Sequence, residues 1–271
     1  KTLNIALAGT GVGKSLFMCH FASSYLLQGL NVLYISLEMA EERIAERIDA
    51  NLLDVTMEDL HDMPKQLYDG KIKKLREKTQ GQLIIKEYPT ASAHSGHFKS
   101  LMNELALKKS FRPDVIFIDY LNICASSRFK GGNISSYFYV KAIAEELRGL
   151  AVEFNVPIFS ATQTTRTGYV SSDIGLEDTS ESFGLPATAD FMFALISNEE
   201  LEALGQMKVK QLKNRYNDPS INRAFIIGVD RAKMRLYDVQ QKAGEIVDAN
   251  QVDEKEDAYN KFSDFKLWKR I

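Results

Sequence analysis

An octapeptide near the amino terminus, Ala8-Gly9-Thr10-Gly11-Val12-Gly13-Lys14-Ser15, restricts the possible folds more than any other stretch of the chain. A short apolar run, Leu3 to Leu7, precedes it, and Leu16-Phe17-Met18-Cys19 follows. Strand, glycine-rich turn and helix in that order form the setting in which G-x-x-x-x-G-K-[ST] acts as a phosphate-binding loop. Turn amides and a helix N-terminus then converge on one point where an anion can sit. The backbone of Gly9, Thr10, Gly11, Val12 and Gly13 would wrap the phosphates, Lys14 would reach the β and γ groups, and Ser15 would ligate Mg²⁺. Ala8 stands where the motif has its first glycine, but Gly11 and Gly13 still let the backbone close around phosphate. An ordinary glycine-rich turn is the competing reading; it leaves a lysine beside a hydroxyl residue unexplained.

The rest of the chain reads as α/β. Apolar runs alternate with amphipathic stretches, the pattern of βαβ units and a mostly parallel sheet. Strands are expected at Asn31 to Ser36, Gln82 to Lys86, Asp114 to Asp119, Val156 to Ala161 and Ala189 to Ile196. Helices are expected from the loop to about Gln28, over Ala40 to Leu53, over Phe98 to Lys109 and over Val140 to Phe154. Asp59 to Lys78 is a polar helical region broken near Pro64. Met207 to Lys213, Arg223 to Val229 and Met234 to Val239 are close together, so antiparallel hairpins are expected at that edge. A long polar connection, Thr162 to Thr188, leaves a strand at the edge where ligands of open α/β sheets bind. Residues 1–239 form the expected folded domain. Residues 240–271 read as a polar tail that docks by its aromatic end, Phe262, Phe265, Leu267 and Trp268.

Composition narrows the function classes. The chain has 271 residues, 45% hydrophobic and 26% charged, enough for a normal core, and a net charge of −2. That excludes a uniformly basic nucleic-acid coat but not local basic loops. Cys19 and Cys124 are far apart and read as small buried hydrophobes, without a disulfide or zinc framework. His94 and His97 sit three apart in a Ser/Gly-rich connection that lacks further ligands, so no metal site is expected there. No apolar run approaches the length of a membrane span, and no charged-then-apolar signal segment opens the chain. The chain starts almost on its first strand, so a domain cut from a longer protein is expected.

Asp119 ends an apolar strand about a hundred residues after Lys14, as a Mg²⁺-supporting carboxylate of a phosphate-loop ATPase requires. Tyr120 follows it where many ATPases carry a catalytic glutamate. Glu38, which ends the strand Val32 to Ser36 in Ser36-Leu37-Glu38-Met39, is the nearest alternative for orienting water; it could equally interact with a helix dipole. Gln163 ends the strand begun at Val156 and could contact a γ-phosphate at the root of the long loop, or simply cap the strand. Lys213, Asn214 and Arg215 follow a strand ending near Leu212. Arginine stabilises phosphoryl-transfer transition states, although a Lys/Arg pair at a strand end is more often just solvated.

Taken in order, six segments resemble the DnaB-type replicative helicases: Ala8–Ser15, Ser36-Leu37-Glu38-Met39, Ile118-Asp119-Tyr120-Leu121, Ala161-Thr162-Gln163, Ala187-Thr188-Ala189-Asp190 and Lys213-Asn214-Arg215-Tyr216. The string Asn31 to Glu42 resembles the T-even-like phage branch. The resemblance covers roughly Leu3 to Val239. It implies a RecA-like ATPase domain that assembles as a homohexameric ring around single-stranded DNA, with ATP between subunits. Lys14 and Ser15 would hold phosphate and Mg²⁺, Asp119 would support the metal, Glu38 would activate water and Gln163 would sense the γ-phosphate. Lys213 and Arg215 would reach the ATP of the adjacent subunit, Arg215 as the arginine finger.

Two channel loops would contact DNA. One is Ser126–Ser136, with Arg128, Lys130, Gly131 and Gly132. The other runs from about Thr165 to Leu185, with Arg166 and the hydroxyls of Ser171, Ser172, Ser180 and Ser182. Binding would be sequence-tolerant and salt-sensitive. A primase and a helicase loader are the implied partners, in a bacterial or phage-infected cytoplasm. The family's N-terminal domain and linker helix are not in this sequence. A RecA-type recombinase and a nucleotide-switched DNA-binding module share many of these features; a small-molecule kinase would need an acceptor pocket that the sequence does not indicate.

Overall fold

A computed structural model describes residues 1–129, 134–164, 174–179, 184–218 and 221–239, with only the backbone of residue 177. All of these belong to one compact unit, Lys1–Val239. Lys130, Gly131, Gly132 and Arg166, the four loop serines and the tail 240–271 lie outside the described residues.

The first strand, β1 (Leu3–Ala8), is buried along its whole length. It leads through the glycine-rich loop into α1 (Lys14–Leu27). The next strand and helix are β2 (Val32–Ser36) and α2 (Glu41–Leu53). On α2, Ile44 and Ile48 face the core, and Glu41 and Glu42 occupy the first turn, where the helix dipole favours acid. The polar region breaks at Pro64 into α3 (Met57–His61) and α4 (Lys65–Lys78). Then come β3 (Leu83–Glu87), α5 (Ser95–Lys109), β4 (Val115–Asp119), α6 (Ser136–Phe154) and β5 (Ile158–Gln163). The C-terminal part contributes α7 (Gly184–Thr188), β6 (Phe191–Ile196), α8 (Glu199–Ala203), β7 (Gln206–Asn214), β8 (Ala224–Asp230) and β9 (Arg235–Asp238).

The described strands form one nine-stranded sheet in the order β3-β2-β4-β5-β1-β6-β7-β8-β9. Every pairing from β3 to β6 is parallel, and β7 to β9 add antiparallel strands at one edge. The expected α/β architecture with an antiparallel edge is the one observed. Side chains alternate between two cores, as the pleat requires. Leu3, Ile5, Leu33, Ile35, Ile116 and Ile118 pack with α5 and α6. Ala6, Tyr34, Val115, Phe117 and Phe193 pack with α1 and α2.

Several boundaries differ from the sequence expectation for local reasons. Helix α5 begins at Ser95 because His94 and His97 form a reciprocal capping box at its start. Their rings therefore act in a helix cap. Helix α6 begins at Ser136, since the aromatic run Tyr137-Phe138-Tyr139 hides its periodicity and Phe138 stays exposed. Strand β5 begins two residues late because Val156 still donates to Ala151 O as part of the helix terminus. The long connection is not featureless: Thr164 pairs with Thr179, and Leu176–Asp178 forms a 3₁₀ turn.

Candidate nucleotide-binding site

Parallel pairing brings the carboxyl ends of β1, β2, β4 and β5 to one edge of the sheet. Gln163 is paired with Ala8, and Asp119 with Ser36. The loop from Gly9 to Gly13 leaves that edge between β1 and α1. Gly13 has φ 127°, a conformation that L side chains rarely adopt, and Gly11 has φ 78°. Gly13 offers no side-chain cap, and the first turn of α1 carries no acidic residue. The N-terminal amides of α1 thus lack a side-chain acceptor, the arrangement that receives an anion.

Lys14 folds back, and its ammonium donates to Gly9 O at 3.2 Å and lies 5.8 Å from the centre of the Tyr120 ring. Burial lowers its pKa, while the charges of Glu38 and Asp119 act to raise it. Arg231 of the β8–β9 turn donates to Val12 O at 3.3 Å.

Asp119 is fully buried. Its Oδ2 accepts from the Tyr34 hydroxyl at 3.0 Å, and its Oδ1 is buried without a hydrogen-bond partner. Burial raises the pKa of this carboxyl, opposed by Ser15, Tyr34, Lys14 and Arg47. A buried carboxylate oxygen left unmatched, near a serine hydroxyl, is a hard-oxygen donor set suited to Mg²⁺. Among the described residues no group of three or more His, Cys, Asp and Glu side chains could hold a metal. A cation here would therefore draw its other ligands from water and phosphate.

Glu38 is not on β2 but two residues beyond its end, and it is exposed. A turn holds it there: Met39 N donates to Ser36 Oγ at 3.0 Å, and Leu37 N donates to Asp119 O at 2.9 Å. Gln163 is the last residue of β5, and its Nε2 donates to the Tyr120 hydroxyl at 3.1 Å. Next to it, Thr162 donates to Asn122 Oδ1 at 2.8 Å. Lys14, Ser15, Glu38, Asp119 and Gln163 thus gather at one edge.

Lys213 and Arg215 do not join them. Strand β7 extends to Asn214, so Lys213 lies within the strand, and Asn214 pairs with Phe191 at the start of β6. Ala8 pairs with Leu195, four residues further along β6, which separates the two levels by about 13 Å of strand. Arg215 therefore lies toward the amino ends of the parallel strands, away from the glycine-rich loop. Its Nε meets Asp190 Oδ1 at 3.0 Å, and Nη2 donates to Ala187 O at 3.1 Å. Asp190 is fully buried, accepts from Leu3 N at 3.0 Å and also binds Arg148 at 3.1 Å. Lys213 donates to Ala187 O at 3.2 Å, and burial lowers its pKa.

Arg128 is exposed and pairs with Glu145 of α6. Beside it, Glu146 accepts from Ser95, from Ser126 and from the Ser127 amide, at 2.6–3.1 Å. Sequence reasoning assigned no role to Tyr34, Asp190, Arg148 or Glu146. A carboxylate opening an apolar strand was the one visible signal, at Asp190.

Residues 1–243 match the family described as DnaB-like helicase C-terminal domain. A DnaB-like replicative helicase of Enterobacteria phage T4 is 46% identical over 268 residues, covering 96% of this chain and 56% of that protein. A probable plasmid replicative DNA helicase of Chlamydia trachomatis is 32% identical over 167 residues, 60% of this chain and 35% of its own length. The chain thus spans about half the length of the T4 relative and a smaller share of the chlamydial one. Among solved structures, an ATPase domain superposes with a TM-score of 0.72 at 17% identity, covering 88% of this chain and 85% of that one. A DnaB-like replicative helicase, described with its primase interactions, gives the same TM-score and identity over 57% of its length. These structural matches establish the RecA-like fold.

Proposed function

The chain belongs to the family of DnaB-like helicase C-terminal domains, and from that membership we propose that it is the ATP-hydrolysing motor of a hexameric replicative helicase. In this reading it translocates 5′→3′ on single-stranded DNA and separates duplex. The observation that carries the proposal is the split of the catalytic set between two edges of the sheet. Lys14, Ser15, Glu38, Asp119 and Gln163 gather at one edge, while Arg215 is held by Asp190 toward the other.

ATP would bind at the subunit boundary, its phosphates on the loop amides and on Lys14, which exchanges Gly9 O for phosphate oxygen. Mg²⁺, when bound by Ser15 and Asp119, partly through water, would neutralise developing charge on the phosphates. Glu38, exposed and held by the Ser36–Met39 turn, would orient the attacking water. Arg215 and Lys213 of the next subunit would complete the site; a heterologous contact of this kind closes into a ring when its rotation closes. Loss of the γ-phosphate would be read by Gln163, whose amide already bonds Tyr120. Arg128, Lys130, Gly131, Gly132 and Arg166 would meet DNA phosphate in the channel, and Arg128 would exchange Glu145 for it. A primase and a loader are the expected partners.

ATP hydrolysis by the full-length protein, measured with and without single-stranded DNA, tests the proposal. Stimulation by DNA is expected, and Glu38→Gln should retain ATP without unwinding. Hydrolysis that ignores DNA would count against the motor reading.

A further inference from the structure

The orientation of Asp119 is set from the neighbouring strand. Tyr34 of β2 is fully buried, and its ring stacks on Phe117, its partner in the β2–β4 register, at 5.9 Å and 16°. Phe117 stacks in turn on Phe159 of β5 at 5.5 Å and 20°. Two residues beyond Phe117, Asp119 shares the same face of the sheet, within diagonal reach of a long aromatic side chain. The Tyr34 hydroxyl makes that reach and donates to Oδ2 at 3.0 Å.

Cys19, one helical turn after Ser15 on α1, is a further polar group near this hydroxyl. A carboxylate otherwise turns broadly about its last torsion. Here one oxygen is engaged, and the other, Oδ1, is buried and unmatched. Phenylalanine would stack on Phe117 equally well, so the hydroxyl is what distinguishes tyrosine at this position.

We propose that Tyr34 is a positioning residue for the metal-supporting carboxylate: by holding Oδ2 it leaves Oδ1 as the oxygen available to a hydrated Mg²⁺ near Ser15. The inference rests on the nucleotide-site reading above. Nothing in the phosphate-loop motif requires a tyrosine on β2, so the device is a property of this chain's own packing.

The test is binding of a fluorescent ADP analogue to the chain, followed by anisotropy across a Mg²⁺ series and in EDTA. Tyr34→Phe is expected to raise the Mg²⁺ concentration for half-maximal binding about tenfold, with metal-free affinity unchanged. In an Asp119→Asn background the same substitution should no longer alter the Mg²⁺ dependence. Phe117→Leu keeps the hydroxyl but removes the ring that holds it; it should raise the Mg²⁺ requirement in the same direction, and it serves where Tyr34→Phe does not fold.

A Mg²⁺ curve identical to wild type in Tyr34→Phe overturns the inference. So does a shift that persists in the Asp119→Asn background, or an equal loss of metal-free affinity. A wild-type chain whose nucleotide binding ignores Mg²⁺ overturns the nucleotide-site reading, and the inference falls with it.

Discussion

Asp119→Asn should make the metal-free protein more stable while abolishing its response to Mg²⁺. The wild-type carboxylate is fully buried, one oxygen has no hydrogen-bond partner, and burial disfavours its charge. An unsatisfied buried acceptor costs about 1–3 kcal/mol, more when charged. Asparagine keeps an oxygen for the Tyr34 hydroxyl but must itself bury an amide, and it gives up the attraction of Lys14 and Arg47. A net gain of about 1 kcal/mol is expected, equivalent to about 2–4 °C in melting temperature at this chain length. Differential scanning fluorimetry in EDTA measures that gain. Repeating it with Mg²⁺ and ADP should stabilise the wild type well beyond nucleotide alone, because a ligand bound to the native state adds to its stability. The variant should show no added benefit from the metal. An Asp119→Asn protein that melts lower than wild type in EDTA, or still gains from Mg²⁺, would refute the claim that this carboxylate is held in readiness for a cation at the expense of the fold.

Three further outcomes follow from other parts of the molecule. His20 accepts from Leu236 N through Nδ1, and burial and Arg235 lower its pKa; the folded state therefore resists protonation, so stability should fall as pH drops below the ordinary histidine value of about 6.5. Urea titrations at stepped pH should show that slope, and His20→Gln should flatten it. Asp190→Asn removes the buried charge that holds Arg148 and Arg215 and should cost about 2 kcal/mol, discounted because both arginines are partly exposed; melting and ATP turnover together should show turnover falling more than nucleotide affinity. Cys19 is buried and its thiol is pushed up to about 12 by burial, so mass spectrometry should find no alkylation by iodoacetamide until the protein unfolds.

The glycine-rich turn between β1 and α1 and the carboxylate at the end of β4 were legible because each depends on a local pattern. The lysine–serine pair follows a turn that needs glycine, and Asp119 follows an apolar run long enough to be a buried strand. The α/β order was equally visible in the alternation of apolar runs and amphipathic stretches. What could not be read depends on contacts between distant segments. Tyr34 looks like one more apolar strand residue until β2 and β4 pair in register and its hydroxyl reaches Asp119. Asp190 acquires its partners only when α6 and the end of β7 converge on the start of β6. Helix α8 escapes a sequence reading because five residues are too short to show a period, and Asn198, which caps it, also suits a turn.

Subunit mixing tests the claim that one chain carries only half of the active site. In the full-length protein, Lys14→Ala should lose phosphate binding, and Arg215→Ala should lose turnover by a factor of about 10³ or more while still binding nucleotide. Mixed in equal amounts before assembly, the two inactive proteins should recover ATP hydrolysis, because about a quarter of the heterologous interfaces then pair an intact Lys14 with an intact Arg215. Recovery approaching that fraction is the predicted result. No recovery from rings that assemble normally, or normal hydrolysis by Arg215→Ala alone, would contradict it.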